Sequence, residues 1–363
     1  MTRSKDSLFR DNIARMEGYA PGEQPQNIGW IKLNTNENPY PPSPSVAETV
    51  EKAARGRLQV YPDPLAKRFC EVAAEVMGCD ADCILPANGS DENLTILMRT
   101  FVEAGESIAF PYPSYSLYRT LAEIQGANSI PIPLTTDWSW NWELTKASLQ
   151  KAKIVFVPNP NSPSGNLWSV DEMIALAPPN GILVVDQAYI DFADDSQFEE
   201  LWNSEIADRL VVTRSLSKSY SLAGIRMGFA VAKPELISGM RKVKDSYNCN
   251  TLSLAAGAAA LEDREWMRHN THRIRETRSR LMAELQAMGF QTNPSQANFV
   301  WATHPSEAHR TIYEQLKKQK ILVRFMSYES LENPQEKPID GLRISIGTDE
   351  DIDRLLSVLK EIV

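Results

Sequence analysis

Short runs of consecutive apolar residues alternate, through the first two thirds of this chain, with segments whose apolar positions recur every three or four residues. The runs at 84–85, 107–110, 154–157, 182–185, 210–213 and Gly228–Ala232 are too short for buried helices and predict strands. Ile182-Leu183-Val184-Val185 is apolar on both faces, as a parallel strand covered by helices on each side should be. Between the runs, 91–103 places Leu94, Leu97, Met98 and Phe101 on one stripe, and 170–177 repeats the spacing in shorter form. The alternation predicts an α/β architecture with a mostly parallel central sheet between helices.

Further on the pattern changes. A long helical period over 265–288 keeps Ile274, Leu281, Leu285 and Met288 on one face, while Arg268, Arg273, Arg275, Arg278 and Arg280 read as a solvated face. After Gly289 come a strand at 297–301, a helix at 306–319, strands at 321–324 and 342–346, and a helix at Asp349–Ile362, with a polar, proline-bearing loop at 328–338. This predicts a smaller α+β domain at 265–363, a large domain at 31–264 (31–45 contributing to the small one) and an N-terminal arm at 1–30.

A length of 363 residues agrees with two domains of roughly 150 residues or more. The formal net charge of -9 argues against a nucleic-acid partner, so any anionic substrate must be held by local arginines. Residues 1–10 are polar, and no apolar run has the length of a membrane span, which predicts a cytoplasmic protein with no membrane partner. Cys70, Cys79, Cys83 and Cys249 lack zinc spacing and read as reduced thiols; the histidines offer no ligand set, so no metal is expected.

The charged positions then acquire meaning. Lys218 lies in Ser215-Leu216-Ser217-Lys218, Arg226 follows eight residues later, and Asp186 closes the apolar run at 182–185. A lysine amine can condense with the aldehyde of pyridoxal phosphate, a carboxylate can hold its pyridine nitrogen protonated, and an arginine with serine hydroxyls can clamp its phosphate. Asn88-Gly89-Ser90-Asp91 joins a strand to a helix and offers backbone N–H groups to the same phosphate. Tyr189 is placed to donate to the cofactor's ring oxygen, and Tyr115, preferred over Tyr112, to lie on its face.

Taken in order, Asn34-x-Asn36-Glu37-Asn38-Pro39, Tyr61-Pro62-Asp63-Pro64, Gly89-Ser90-Asp91-Glu92, Asn161-x-Pro163-Ser164-Gly165, Asp186-x-x-Tyr189, Ser215-x-Ser217-Lys218 and Arg226 resemble the fold-type-I aminotransferases, and among them the histidinol-phosphate aminotransferases. The matches span nearly the whole chain. The resemblance implies catalytic Lys218, Asp186 and Tyr189, and a cofactor site that adds Ser90, Asp91, Glu92, Tyr115, Asn161, Ser215, Ser217 and Arg226. It implies a homodimer in which Tyr61 reaches the partner subunit's cofactor phosphate. Arg343 matches the arginine that takes a substrate α-carboxylate, and Tyr19 and Arg324 resemble the substrate-phosphate side. In two places the chain departs from the family. Ser162 stands where an asparagine usually contacts the cofactor's ring oxygen, leaving Asn161 and Ser162 as alternatives, and Gln187 replaces a glutamate.

The expected reaction is transamination of histidinol phosphate with 2-oxoglutarate, in ping-pong turns of a small-molecule amine and a 2-oxo acid, within histidine biosynthesis. An aromatic or other amino-acid aminotransferase, or a phospho-amino-acid decarboxylase, would share every cofactor residue. A ligand-sensing module of a regulator would need an added basic DNA-binding domain, which the sequence before Asn34 does not provide.

Overall fold

The computed structural model describes residues 8–19, 22–25, 27–331, 335 and 337–363. Two sheets organise them. In the larger, seven strands run in the spatial order Ile84–Ala87, Gly228–Ala232, Leu210–Ser215, Ile182–Asp186, Ala152–Pro158, Ser107–Tyr112, Asn128–Pro133. Gly228–Ala232 is antiparallel to both its neighbours and the other pairings are parallel, so the sheet is mostly parallel, as the doubly apolar runs require. Apolar clusters pack against both faces, one around Val155, Val185 and Phe229, the other around Leu94, Leu97, Phe156 and Tyr118.

The smaller sheet has the order Ile31–Leu33, Ile321–Tyr328, Ile339–Ser345, Phe299–Thr303, Gln291–Thr292. Ile31–Leu33 runs parallel to Ile321–Tyr328, so the chain near residue 31 is stitched into a sheet formed by the C-terminal third. The third apolar cluster, with Leu33, Ile274, Leu281, Ile344 and Leu355, lies under this sheet. The helix Arg264–Ala287 links the two units, and Asp349–Ile362 starts with a reciprocal cap between Thr348 and Asp351.

Several elements differ from the sequence expectation. Asn128–Pro133 was not anticipated; with Pro131 and Pro133 in it, it survives as an edge strand, where missing N–H donors face no neighbour. Ile31–Leu33 and Gln291–Thr292 are three and two residues long, too short to show a period. The strand expected at 297–301 is Phe299–Thr303, since the Asn298 side chain instead donates to the Asn36 carbonyl. The helix expected from 306 begins at His309, because the Ser306 and Glu307 amides turn back to His304 Nδ1. The arginine face on Arg264–Ala287 is not wholly solvated: Arg278 is buried and donates through Nη1 to the carbonyls of Phe192 and Ala297, 3.1 and 2.9 Å away. Burial without an acidic partner pulls its pKa down to about 10.

Candidate active site

At the carboxyl ends of the parallel strands, under the smaller sheet, lies a cavity of about 370 Å³. Asp186, the last residue of its strand, forms one wall. Its Oδ2 accepts from Tyr118 Oη at 3.0 Å, and its Oδ1 from Thr213 Oγ1 and the Ala188 amide, both at 3.2 Å. Those partners are two hydroxyls and an amide, and none is a cation. Burial therefore pushes the carboxyl up to about 6, against the opposing pull of the Tyr118 bond.

Lys218 enters from the loop after Leu210–Ser215. Its Nζ donates to the Thr35 carbonyl at 3.0 Å, and Asn38 Nδ2 fixes the loop by donating to the carbonyls of Lys218 and Ser219. Burial, and then the nearby Arg343, depress the amine to about 8. Near neutral pH a usable fraction of it is the nucleophilic free base. Tyr189 Oη accepts from Asn36 Nδ2 at 3.0 Å, and its ring packs edge-on to Phe299.

The phosphate-type donors gather at one end. The helix Ser90–Phe101 starts there with Gly89 at φ +79°, and Arg226, itself at φ +57°, reaches Ser217 Oγ (3.4 Å) and Asp91 Oδ2 (3.7 Å). A Cβ on Gly89 would lie 2.7 Å from Arg226 Nη2, and one on Gly228 2.7 Å from the Ser90 amide nitrogen. Both glycines let guanidinium, strand and helix N-terminus close around a small anion. Tyr115 lines the cavity and donates to Asp91 Oδ1 at 3.2 Å, while Tyr112 turns away to the Glu329 carbonyl.

At the other end, the smaller sheet brings Arg343 and Arg324 directly opposite each other on neighbouring antiparallel strands, and both line the cavity. Arg343 donates to Ser162 Oγ and to the Asn34 carbonyl, each at 3.0 Å, and its buried Nε has no partner among the described residues.

A family model, aminotransferase class I and II, matches residues 28–359. The chain belongs to this family. It is 45% identical over 354 residues to a histidinol-phosphate aminotransferase of Rhodopirellula baltica, covering 97% of this chain and 95% of that protein. To one of Citrifermentans bemidjiense it is 44% identical over 356 residues, with 98% of each chain covered. Among solved structures, a histidinol-phosphate aminotransferase of Sinorhizobium meliloti in complex with pyridoxal-5'-phosphate superposes with a TM-score of 0.81 at 25% identity, covering 92% of this chain and 91% of that one.

In this aminotransferase the cavity gathers most of the residues expected from sequence: Tyr19, Ser90, Asp91, Tyr115, Asp186, Tyr189, Ser215, Ser217, Lys218, Arg226, Arg324 and Arg343. Three expected residues do not line it. Asn161 does not reach the cavity: it is buried, with Nδ2 toward the Pro113 carbonyl and Ser164 Oγ, and Ser162 lines the wall instead. Glu92 lies behind the loop, accepting from the Asn88 amide and from Asn248 Nδ2. Tyr61, expected to serve a second copy's site rather than this one, is 75% exposed and stacks on Tyr247 at 4.3 Å. Tyr118 and Thr35 were missed. Tyr118 follows Tyr115 by one helical turn, which was the available signal; Thr35 acts through its carbonyl, which carries no sequence signal at all.

Residues and cofactor chemistry fit one another. A buried acid without a cation suits a protonated pyridine nitrogen, the glycine-backed Ser90, Ser215, Ser217 and Arg226 cluster suits a phosphate, and the amine of Lys218 suits an aldehyde.

Proposed function

We propose that this aminotransferase uses pyridoxal phosphate to exchange an amino group between histidinol phosphate and 2-oxoglutarate, forming imidazole acetol phosphate and glutamate, as a step of histidine biosynthesis in the cytoplasm. The observation that carries the substrate reading is the facing pair Arg324 and Arg343. Like charges directly opposite on a sheet destabilise it unless an anion lies between or beside them. A phosphorylated amine in one half-reaction and a dicarboxylate in the other supply such anions, whereas an aromatic amino acid brings a single carboxylate. The names of the relatives support the same choice.

Lys218 would hold the cofactor through its aldehyde, and the bound group would supply a cationic ring able to accept the electrons of a substrate Cα–H bond. Asp186, a buried carboxylate, would keep that ring charged by pairing with it. The Lys218 Nζ would take up the Cα proton and carry it as its own ammonium, and its depressed pKa keeps it free to do so near neutral pH. Tyr189 would donate to the ring oxygen and is itself oriented by Asn36, which donates to its hydroxyl. Arg343 orients an α-carboxylate by paired N–H donors.

The same reading includes a division near residue 264 into large and small domains and a two-fold homodimer. Exposed Leu58, Val60, Tyr61 and Tyr247 line one surface patch that supports it, with Tyr61 extended toward the cofactor phosphate of a second copy. Rapid mixing of the cofactor-loaded protein with histidinol phosphate, phenylalanine or phosphothreonine tests the substrate. The expected result is a fast absorbance change with the first; a response confined to either of the others overturns the reading.

A further inference from the structure

We propose that Glu37 determines specificity by accepting the imidazole N–H of the amine substrate. Among the described residues lining the cavity, the acids are Glu37, Asp91 and Asp186. Asp186 and Asp91 are committed to the cofactor end through Tyr118, Thr213, Tyr115 and Arg226. Glu37 is not. It lines the same cavity as Arg324 and Arg343 and lies close enough to Lys218 to act on its charge, so its carboxylate opposes the anions those arginines attract. Such a charge is useful there if one of the two alternating substrates brings an N–H donor, and the donor proposed above, on which this inference rests, carries an imidazole.

The position is built rather than incidental. Asn36, immediately before it, is held at φ +55°, a conformation uncommon for a residue with a side chain. Its amide donates to Ser345 Oγ at 2.9 Å and its carbonyl accepts from Asn298 Nδ2 at 3.0 Å, so the strand Ile339–Ser345 and the residue just before Phe299–Thr303 fix where Glu37 emerges. Lys32, on the strand Ile31–Leu33, bonds Glu37 Oε2 and also donates to Thr35 Oγ1 at 2.8 Å. Lys32 thus serves both half-reactions. It orients the carboxylate so that Oε1 can accept an N–H, and it neutralises Glu37 when a dicarboxylate enters the same cavity.

Glu37→Gln and Glu37→Ala holoenzymes, followed by rapid mixing with histidinol phosphate and separately with glutamate, test this. Loss of one hydrogen bond to a charged acceptor predicts a shift of about tenfold or more in the ratio of the two half-reaction kcat/KM values toward glutamate, carried by the apparent KM for histidinol phosphate. Competition by histidinol, which bears the imidazole without the phosphate, should weaken by a similar factor in both variants. An unchanged ratio together with unchanged histidinol competition overturns the proposal. If the wild-type protein fails to turn over histidinol phosphate, the substrate reading falls, and the histidinol competition alone still decides the role of Glu37.

Discussion

The two ends of the cavity are built on opposite principles. At the cofactor end, strand termini of the larger sheet deliver a buried acid with no cation beside it, and the protein is left with an unfavourable charge. At the substrate end, the smaller sheet pairs two arginines across neighbouring strands, both lining the cavity, an arrangement in which like charges disfavour one another. Each end is strained electrostatically in a sense that its own ligand relieves, so binding energy at both is prepared in the folded protein. Lys218 stands between them, with burial and Arg343 acting together to keep its amine from being charged.

The largest effect should come from removing that shared centre. Lys218→Ala is expected to abolish turnover by about four orders of magnitude or more. Borohydride reduction of the loaded wild-type protein should fix the cofactor on the peptide containing Lys218, and an equally active, covalently labelled variant would refute the assignment. Loading of the wild-type apoprotein should accelerate as pH rises through about 8, where the lysine loses its proton.

Asp186→Asn separates the two ends most clearly. Activity should fall by about a thousandfold, because a neutral amide cannot hold the ring cation. Stability of the cofactor-free protein should move the other way. The folded-state pKa of Asp186 is raised from 3.8 to about 6, so between those values the native state binds more protons than the unfolded one, and stability falls as pH rises through the window. Above pH 6 the full cost is present, on the order of 3 kcal/mol, and the variant should recover part of it. Thermal melts of the two apoproteins at pH 4 and pH 7.5 test this: the gain should appear only at the higher pH.

Arg343→Ala probes the cationic end. The apparent KM for glutamate should rise by about a hundredfold through loss of charged donors. The melting midpoint of the free protein should hold or rise, since Arg324 then loses its facing like charge. A large drop in that midpoint would show that the pair is structural, held by Ser162 and Asn34 alone.

How legible each end was follows from the kind of contact that makes it. Asp186, Lys218 and Arg226 act through side chains at the ends of strongly apolar strands, so pattern and chemistry coincide in the sequence. Arg324 and Arg343 were identified, but not that they face each other, because register between Ile321–Tyr328 and Ile339–Ser345 is set by pairing across an intervening loop. The Lys218 to Thr35 contact joins residues 183 positions apart through a carbonyl, and no side-chain pattern records it. Asn161 and Ser162 could not be separated because adjacent turn residues point to opposite sides, and only the folded turn shows which one meets the cavity. The same holds for Arg278, whose helical period matched its exposed neighbours although two loop carbonyls draw it inside.

The smallest expected effect tests the support behind Asp186. Tyr118 is fully buried, stacked on Phe156 at 4.9 Å, and its hydroxyl is the strongest hydrogen-bonding influence holding the Asp186 carboxylate charged. Phenylalanine keeps the ring packing and deletes only that donor, leaving Thr213 and the Ala188 amide. With one bond to the charged form gone, the Asp186 pKa must rise further, so the acid limb of kcat/KM should move to higher pH while the activity plateau falls less than about tenfold. A purely structural tyrosine would lower stability by about 1 kcal/mol and leave the limb where it was. A pH profile of Tyr118→Phe with an unmoved acid limb would therefore mean that Asp186 is held by the larger sheet alone, and that the cofactor end owes nothing to the helix Leu117–Gln125 that carries this tyrosine.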